Sequence, residues 1–328
     1  MPGIGLISNP RSRANRRDPS RVRKLGYMIG SHGTAEATRS IDDLYRVCEE
    51  FKKERIEILG ISGGDGTMHH TLTAMIRTYG DQPLPLIAIL RGGTMNTIAR
   101  SFRIFGEPQR LLFELVDKHR RGLGNQLDVF EKHVLQVGDM YGFIFGTGII
   151  RNFLHEYYET GNPSPTTAAK LISRAAASAA VGGPLSKRIY RRFEAEVTVD
   201  GQTWARRDFS TVTAAVVKEI GLGFSPYYRC DEKPGWFALL GIHTSTMGFV
   251  SELPRIFQAR PLRRDKVIDQ IAQHVRLVAT QGRVEFIIDG DNYTGDRELI
   301  VQTGPKLRFI RLTGDAHGET PLPDYPAT

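Results

Sequence analysis

Residues 56–67 read Ile56-Glu57-Ile58-Leu59-Gly60-Ile61-Ser62-Gly63-Gly64-Asp65-Gly66-Thr67. An apolar run stops at glycines, and Met68, Leu72, Met75 and Tyr79 then recur at helical spacing. The stretch is therefore a strand, a glycine-rich turn and the opening of a helix. Glycines let the backbone curl so that successive amides point at one anion. The helix N-terminus adds its partial positive charge. Thr67 can cap the helix or touch a phosphate. Asp65 sits comfortably beside phosphate only with a cation between them, so the loop implies Mg²⁺. The plainer alternative is a strand–helix turn in which Asp65 does no more than cap.

Outward from this stretch, strand and helix signals alternate. Gly3 to Ser8 is a short apolar run stopped by Asn9-Pro10. Ile41, Leu44, Val47 and Phe51 keep helical spacing, Leu86 to Leu90 is a further apolar run ending before Gly92-Gly93, and Pro108 to Arg120 reads as a helix. Such alternation predicts an open, mainly parallel α/β sheet. After about residue 127 the segments become short and β-rich: Val134 to Val137, Tyr141 to Phe145, Glu194 to Val199 and Thr211 to Val217. Asp200-Gly201 predicts a hairpin turn. A second hairpin is expected between Val284–Ile288 and Glu298–Val301, around Asp289 to Gly295. Helices are expected over the Ala-rich Thr166–Val181 and over Ser251–Val278, the latter broken at Pro254 and Pro261. The expected fold is an α/β nucleotide-binding domain at 1–127, rejoined by about 306–328, and an antiparallel β-sandwich or barrel at 128–305.

The chain has 328 residues, and Lys+Arg 44 against Asp+Glu 36 gives a net charge of +8. That excess suits an anionic partner: nucleic acid, an anionic membrane or a phosphate-bearing substrate. The cysteines, Cys48 and Cys230, have neither metal-site spacing nor the makings of a disulfide framework, which fits a reducing cytoplasm. No apolar run reaches the roughly eighteen residues of a transmembrane helix. Gly3 to Ile7 is too short for a signal peptide, and Pro2 stands where N-myristoylation needs glycine.

A rival motif overlaps the loop. Gly60-Ile61-Ser62-Gly63-Gly64 satisfies G-x-S-x-G, the nucleophile elbow of α/β-hydrolases, and Asp289 and His317 follow in the order of a triad. Only about two strands precede Ser62, fewer than a hydrolase sheet normally has, and Asp65-Gly66-Thr67 is left unexplained. His69 and His70 are adjacent on a helix and do not face one site, so they read as surface or core histidines rather than metal ligands.

The order of signals resembles the diacylglycerol kinase catalytic family, which includes sphingosine and ceramide kinases and is related to NAD kinases. Asn9-Pro10-Arg11-Ser12 resembles its opening Asn-Pro-x-Ser element, and Gly63 to Thr67 matches its G-G-D-G-T loop. Gly93-Thr94-Met95-Asn96 with Ala99-Arg100 resembles G-T-x-N-D-x-A-R, Asp128 resembles the aspartate at the domain junction, and Asp289-Gly290-Asp291 resembles the late D-G-E element. The resemblance implies a lipid kinase using ATP and Mg²⁺. The nucleotide would lie on Asn9, Pro10, Arg11, Ser12, Gly63, Gly64, Asp65, Gly66, Thr67, Gly93, Thr94 and Asn96, with Asp65 and Asp128 as candidate metal ligands. A carboxylate must take or orient the acceptor hydroxyl proton, for which Asp289 and Asp291 are candidates. Arg11 and Arg13 could add charge-assisted contacts. Thr97 stands where the family usually has Asp, and Asp291 where Glu is usual. The run Asp231-Glu232-Lys233-Pro234 departs from the family's D-G-x-L-D. These departures leave open a catalytically inactive lipid or nucleotide binder.

The expected acceptor is diacylglycerol, with ceramide or a sphingoid base as alternatives. Lys187 to Arg192, Arg255-Ile256-Phe257 and Arg260 to Arg264 mix cations with apolar side chains and suit peripheral docking on an anionic membrane from the cytoplasm. No nucleic-acid module is present in the sequence, and no nucleic-acid partner is expected.

Overall fold

The computed structural model describes residues 3–161 and 164–313, and His317 lies outside them. The chain divides into two compact units. One takes in residues 3–67, 74–131 and 308–313, the other 68–73 and 132–307.

The first unit runs β1 (Ile4–Ser8), α1 (Arg13–Arg17), α2 (Ser20–Ile29), β2 (Gly33–Ala37), α3 (Ile41–Glu54), β3 (Ile58–Ser62), the start of α4 (Asp65–Tyr79), β4 (Leu86–Ile89), α5 (Thr97–Ser101), α6 (Pro108–Arg120) and the first residues of β5 (Asp128–Val137). Its sheet has the order β2-β1-β3-β4 with every pair parallel. β1 and β3 are buried along their whole length, which is why both read as unbroken apolar runs. β2 is the edge strand, and its Gly-Thr-Ala-Glu-Ala carries little apolar signal. In α3 the Ser40 side chain accepts from the Asp43 amide, acids occupy the first turn and lysines the last, and Leu44, Val47, Cys48 and Phe51 form the buried stripe.

The second unit continues through the rest of β5, then β6 (Met140–Gly142), β7 (Ile144–Thr147), α7 (Ile149–Glu159), α8 (Pro165–Ala180), α9 (Pro184–Ile189), β8 (Phe193–Val199), β9 (Gln202–Thr203), β10 (Asp208–Phe209), β11 (Thr211–Ala215), β12 (Phe237–Ile242), α10 (Thr246–Val250) and α11 (Leu253–Phe257). It ends with β13 (Val267–Ala272), β14 (His274–Ala279), β15 (Glu285–Ile288), β16 (Asp291–Thr294) and most of β17 (Glu298–Arg311). One antiparallel sheet has the order β13-β12-β11-β7-β15-β16. A second antiparallel group aligns β10, β8, β14 and the start of β17. The last residues of β17 lie in the first unit, where Phe309 and Ile310 pair in parallel with Ile87 and Ala88. The expected combination of an α/β domain and an antiparallel β domain is observed.

Two local expectations are corrected. Ser251–Val278 is not one broken helix: α11 ends at Phe257, and Val267–Ala279 forms β13 and β14. The β14 side chains alternate between buried and partly exposed, so a period of two overrides the apparent helical spacing. The second hairpin closes earlier than expected. β15 turns directly into β16 through Asp289-Gly290, with Ile288 opposite Asp291, whereas Glu298 pairs with Val278 of β14. Asp289 and Gly290 both have positive φ, +47° and +98°, as a two-residue primed turn requires. Asp200-Gly201 makes the same turn between β8 and β9, as expected.

Candidate functional site

In the first unit the strand order reverses at β1: β2 lies on one side and β3 on the other. Open α/β sheets take ligands outside the carboxyl ends of the strands at such a switch point. The residues there are Asn9 to Ser12 after β1 and Gly63 to Thr67 after β3.

These loops are bound to one another. The Asn9 amide donates to the Ser62 carbonyl at 3.0 Å, and Asn9 Nδ2 to Thr67 Oγ1 at 2.9 Å. Asn9 Oδ1 accepts the Arg11 amide at 2.8 Å and so shapes the turn through Pro10. The second glycine loop, after β4, joins them: the Gly92 amide donates to the Gly63 carbonyl at 2.6 Å. A Cβ on Gly93 would come within 2.5 Å of Gly64 Cα, so the two backbones touch at a distance only glycines permit. Asn96, in the left-handed region at φ +49°, accepts the Gly93 amide on Oδ1 at 2.9 Å and opens α5. Thr94 is half-buried between them.

Asp65 opens α4, yet its carboxylate caps a different helix. Oδ2 accepts the Thr97 amide at 3.0 Å and Oδ1 the Ile98 amide at 3.1 Å, tying the first glycine loop to the start of α5. Thr97, where Asp is usual, is buried and contributes its backbone. A carboxylate oxygen carries more than one lone pair, so capping by amides and binding of a cation are not mutually exclusive. Asp128, the other candidate metal ligand, is exposed, and its Oδ2 takes the Arg311 guanidinium at 2.6 Å. No group of three or more His, Cys, Asp or Glu side chains suited to a metal ion occurs among the described residues. Three buried polar atoms close to the loops, Ser12 Oγ, Asn15 Oδ1 and Ser62 Oγ, have no protein partner.

Ser62 has no solvent exposure at all. A nucleophile elbow needs the opposite, a serine held out at the top of the sheet, and Asp289 gives its carboxylate to backbone amides.

In the second unit the Asp289-Gly290 turn holds both acidic candidates. The Phe143 amide donates to both Asp289 oxygens, at 3.0 and 3.1 Å, and the Ile144 amide to Oδ1 at 2.8 Å. Asp200, in the twin turn, accepts the Gln273 and His274 amides in the same manner. Asp291 is different: it is 39% exposed and meets His70 Nε2 through Oδ2 at 3.2 Å. Its neighbour His69 is fully buried. His69 Nδ1 donates to the Tyr141 carbonyl at 2.6 Å, so Nε2 is the acceptor from the Tyr293 hydroxyl at 2.7 Å. Burial drives the His69 pKa down to about 4, keeping the ring neutral, and burial beside Asp291 and Asp289 pushes the Tyr293 hydroxyl up. His69 is thus core, whereas His70 is half-buried against Asp291, and that pairing left no signal in sequence spacing.

Residues 4–126 match the family model of the diacylglycerol kinase catalytic domain, the segment that carries both glycine loops. The resemblance read from the motifs is borne out over those residues. No curated protein matches the chain. The fold is similar to the crystal structure of a diacylglycerol kinase from Bacillus anthracis str. Sterne, with TM-score 0.64 and 15% identity over 94% of this chain and 96% of that one. A second structure from the same strain gives TM-score 0.67 and 14% identity over the same shares. Yeast NADH kinase complexed with NADH aligns at TM-score 0.48 and 12% identity, over 96% of this chain and 84% of its own.

Proposed function

We propose that the chain is an ATP-dependent lipid kinase, which transfers the γ-phosphoryl group to a hydroxyl of a membrane lipid. The acceptor is diacylglycerol-like in this reading, with ceramide or a sphingoid base as alternatives. What carries the proposal is the contact of two glycine loops beyond the carboxyl ends of β3 and β4, held by the Gly92–Gly63 hydrogen bond and by the Asp65 carboxylate on α5. Loop amides, the α4 N-terminus and the unclaimed Ser12 hydroxyl suit a polyphosphate. The exposed Arg11 adds a cation.

Phosphoryl transfer requires positioning and charge neutralisation more than covalent chemistry. Mg²⁺ commonly takes one or two carboxylates and completes its shell with phosphates and water. Asp65, on the phosphate loop, is the first candidate for such a carboxylate, and Asp128, which pairs with Arg311, is the second. When bound, the ion would neutralise charge on the β- and γ-phosphates. On the acceptor side Asp291 takes the hydroxyl proton, and Asp289 holds the turn that presents it.

Peripheral docking falls to the excursion between β12 and β13. There the buried Glu252 gathers Arg255, Arg263 and Lys266, Arg260 and Arg264 add charge, and Met247 and Phe257 are exposed. In Lys187–Arg192, by contrast, Arg188, Arg191 and Arg192 are each paired with a carboxylate. No described helix is long and apolar enough to cross a membrane.

Paired substitutions test the reading. Asp65→Asn should lower phosphotransfer by on the order of a hundredfold or more, while Ser62→Ala keeps most of it. An inactive Ser62→Ala beside an active Asp65→Asn would hand the chain to the hydrolases.

A further inference from the structure

We propose that His70 is the positioning residue for Asp291, fixing the carboxylate that takes the proton of the acceptor hydroxyl; this rests on the reading of Asp291 as that carboxylate.

The hairpin offers two carboxylates, and their surroundings differ. Asp289 is 7% exposed and spends both oxygens on the amides of Phe143 and Ile144. Asp291 is the first residue of β16, and its side chain meets His70 Nε2 through Oδ2. That contact leaves Oδ1 to meet a hydroxyl. A carboxylate so exposed is free to turn about its side-chain bonds unless something holds it, and Asp is one methylene shorter than Glu. An imidazole N–H on one oxygen supplies the restraint, with the imidazole serving the carboxylate, the converse of the triad arrangement.

His70 can do this because its own place on α4 is secured by its neighbours. One residue earlier, His69 is held at both ring nitrogens, by Tyr141 of β6 and Tyr293 of β16. Three residues later, Thr73 Oγ1 accepts the Tyr141 amide at 3.0 Å and donates to the Tyr141 carbonyl at 3.3 Å. The segment between these anchors cannot rotate or slide against β6 and β16, so the His70 ring keeps its bearing on Asp291. His69 and the Tyr293 hydroxyl are occupied by each other, which leaves His70 as the one imidazole of the pair that can serve the carboxylate. A misplacement of about 1 Å in a reacting group costs on the order of a hundredfold in rate, and that is the scale at which His70 should matter.

The test uses the full chain, γ-labelled ATP with Mg²⁺ and a total lipid extract, with initial rates of label entering the organic phase. His70→Ala should lower kcat by roughly ten- to a hundredfold and leave the KM for ATP and the melting temperature unchanged. His70→Gln, whose amide can donate to the same oxygen, should recover most of the loss. Asp291→Asn should lose roughly 10²–10⁴, and adding His70→Ala to it should cost nothing more. A fully active His70→Ala beside an inactive Asp291→Asn overturns the inference and spares the kinase reading. A fully active Asp291→Asn removes the base assignment itself. Additive losses in the double variant, or no rescue by glutamine, would show that His70 acts elsewhere than on Asp291.

Discussion

Replacing Asp289 separates a carboxylate that holds the fold from one that does chemistry. Two buried amides, those of Phe143 and Ile144, end on it at 2.8–3.1 Å, and only 7% of the residue is exposed. A hydrogen bond to a charged group is worth about 1.5–3 kcal/mol, and a buried donor left without a partner costs about 1–3 kcal/mol. Asp289→Ala strands both amides. It also puts an alanine at φ +47°, which costs about 1 kcal/mol more because its Cβ crowds the backbone and it lacks the side-chain hydrogen bond that makes Asp tolerable there. With both amides stranded, the sum is about 3–7 kcal/mol. Asp289→Asn keeps one acceptor oxygen and a residue type at home in the left-handed region, so its cost is about half. In a domain of 150–250 residues each kcal/mol moves Tm by about 2–4 °C, so the alanine variant should melt roughly 10 °C or more below the parent and the asparagine variant at an intermediate temperature. Thermal unfolding followed by circular dichroism, with urea midpoints as a check, reads this directly. If both variants unfold with the parent yet lose phosphotransfer, Asp289 is a chemical group and the division of labour with Asp291 is wrong.

Other outcomes follow from the same contacts. Acid should destabilise the second unit through His69. Its folded pKa is depressed to about 4 from the ordinary 6.5, so the unfolded chain binds a proton that the folded one refuses, and stability falls by about 3 kcal/mol as pH drops from about 6.5 to about 4. His69→Gln should flatten that limb of a urea-stability profile, and an unchanged limb would mean that His69 is not held neutral. Gly93→Ala should weaken ATP binding in equilibrium dialysis and cost about 1–3 kcal/mol of stability, because its Cβ would meet Gly64 Cα at 2.5 Å; binding and unfolding like the parent would show the loops can part. Sedimentation with liposomes should rise with anionic lipid and fall with salt. Charge reversal at Arg260 and Arg264 should weaken it more than reversal at Arg191 and Arg192, which already face carboxylates; equal effects would contradict that assignment.

The parallel sheet was legible because β1, β3 and β4 are buried strands with apolar runs ending in turn residues, and because α3 and α4 keep a clear helical stripe. β2 was not, since an edge strand of Gly-Thr-Ala-Glu-Ala has almost no apolar face to show. Ser251–Val278 misled for a different reason. Its isolated apolar residues fit helical spacing as well as strand alternation, and the choice is made by pairing with β12, β8 and β17, which lie far away in sequence. The phosphate loop could be read because glycines and one Asp at fixed spacing are a local chemistry. That Asp65 would cap α5 rather than its own helix, and that His70 would meet Asp291, depend on contacts between segments 32 and more than 200 residues apart, for which spacing gives no cue.

Phosphoryl transfer from ATP to a lipid hydroxyl is read by one incubation: the full chain with γ-labelled ATP, Mg²⁺ and a total lipid extract, followed by separation and identification of the labelled lipid. Label should enter a single class of phosphorylated lipid and be absent without Mg²⁺ and with Asp65→Asn. Label that stays in ATP and inorganic phosphate under every condition, with the protein folded and ATP bound, would contradict it and leave a nucleotide-binding protein that does not phosphorylate lipid.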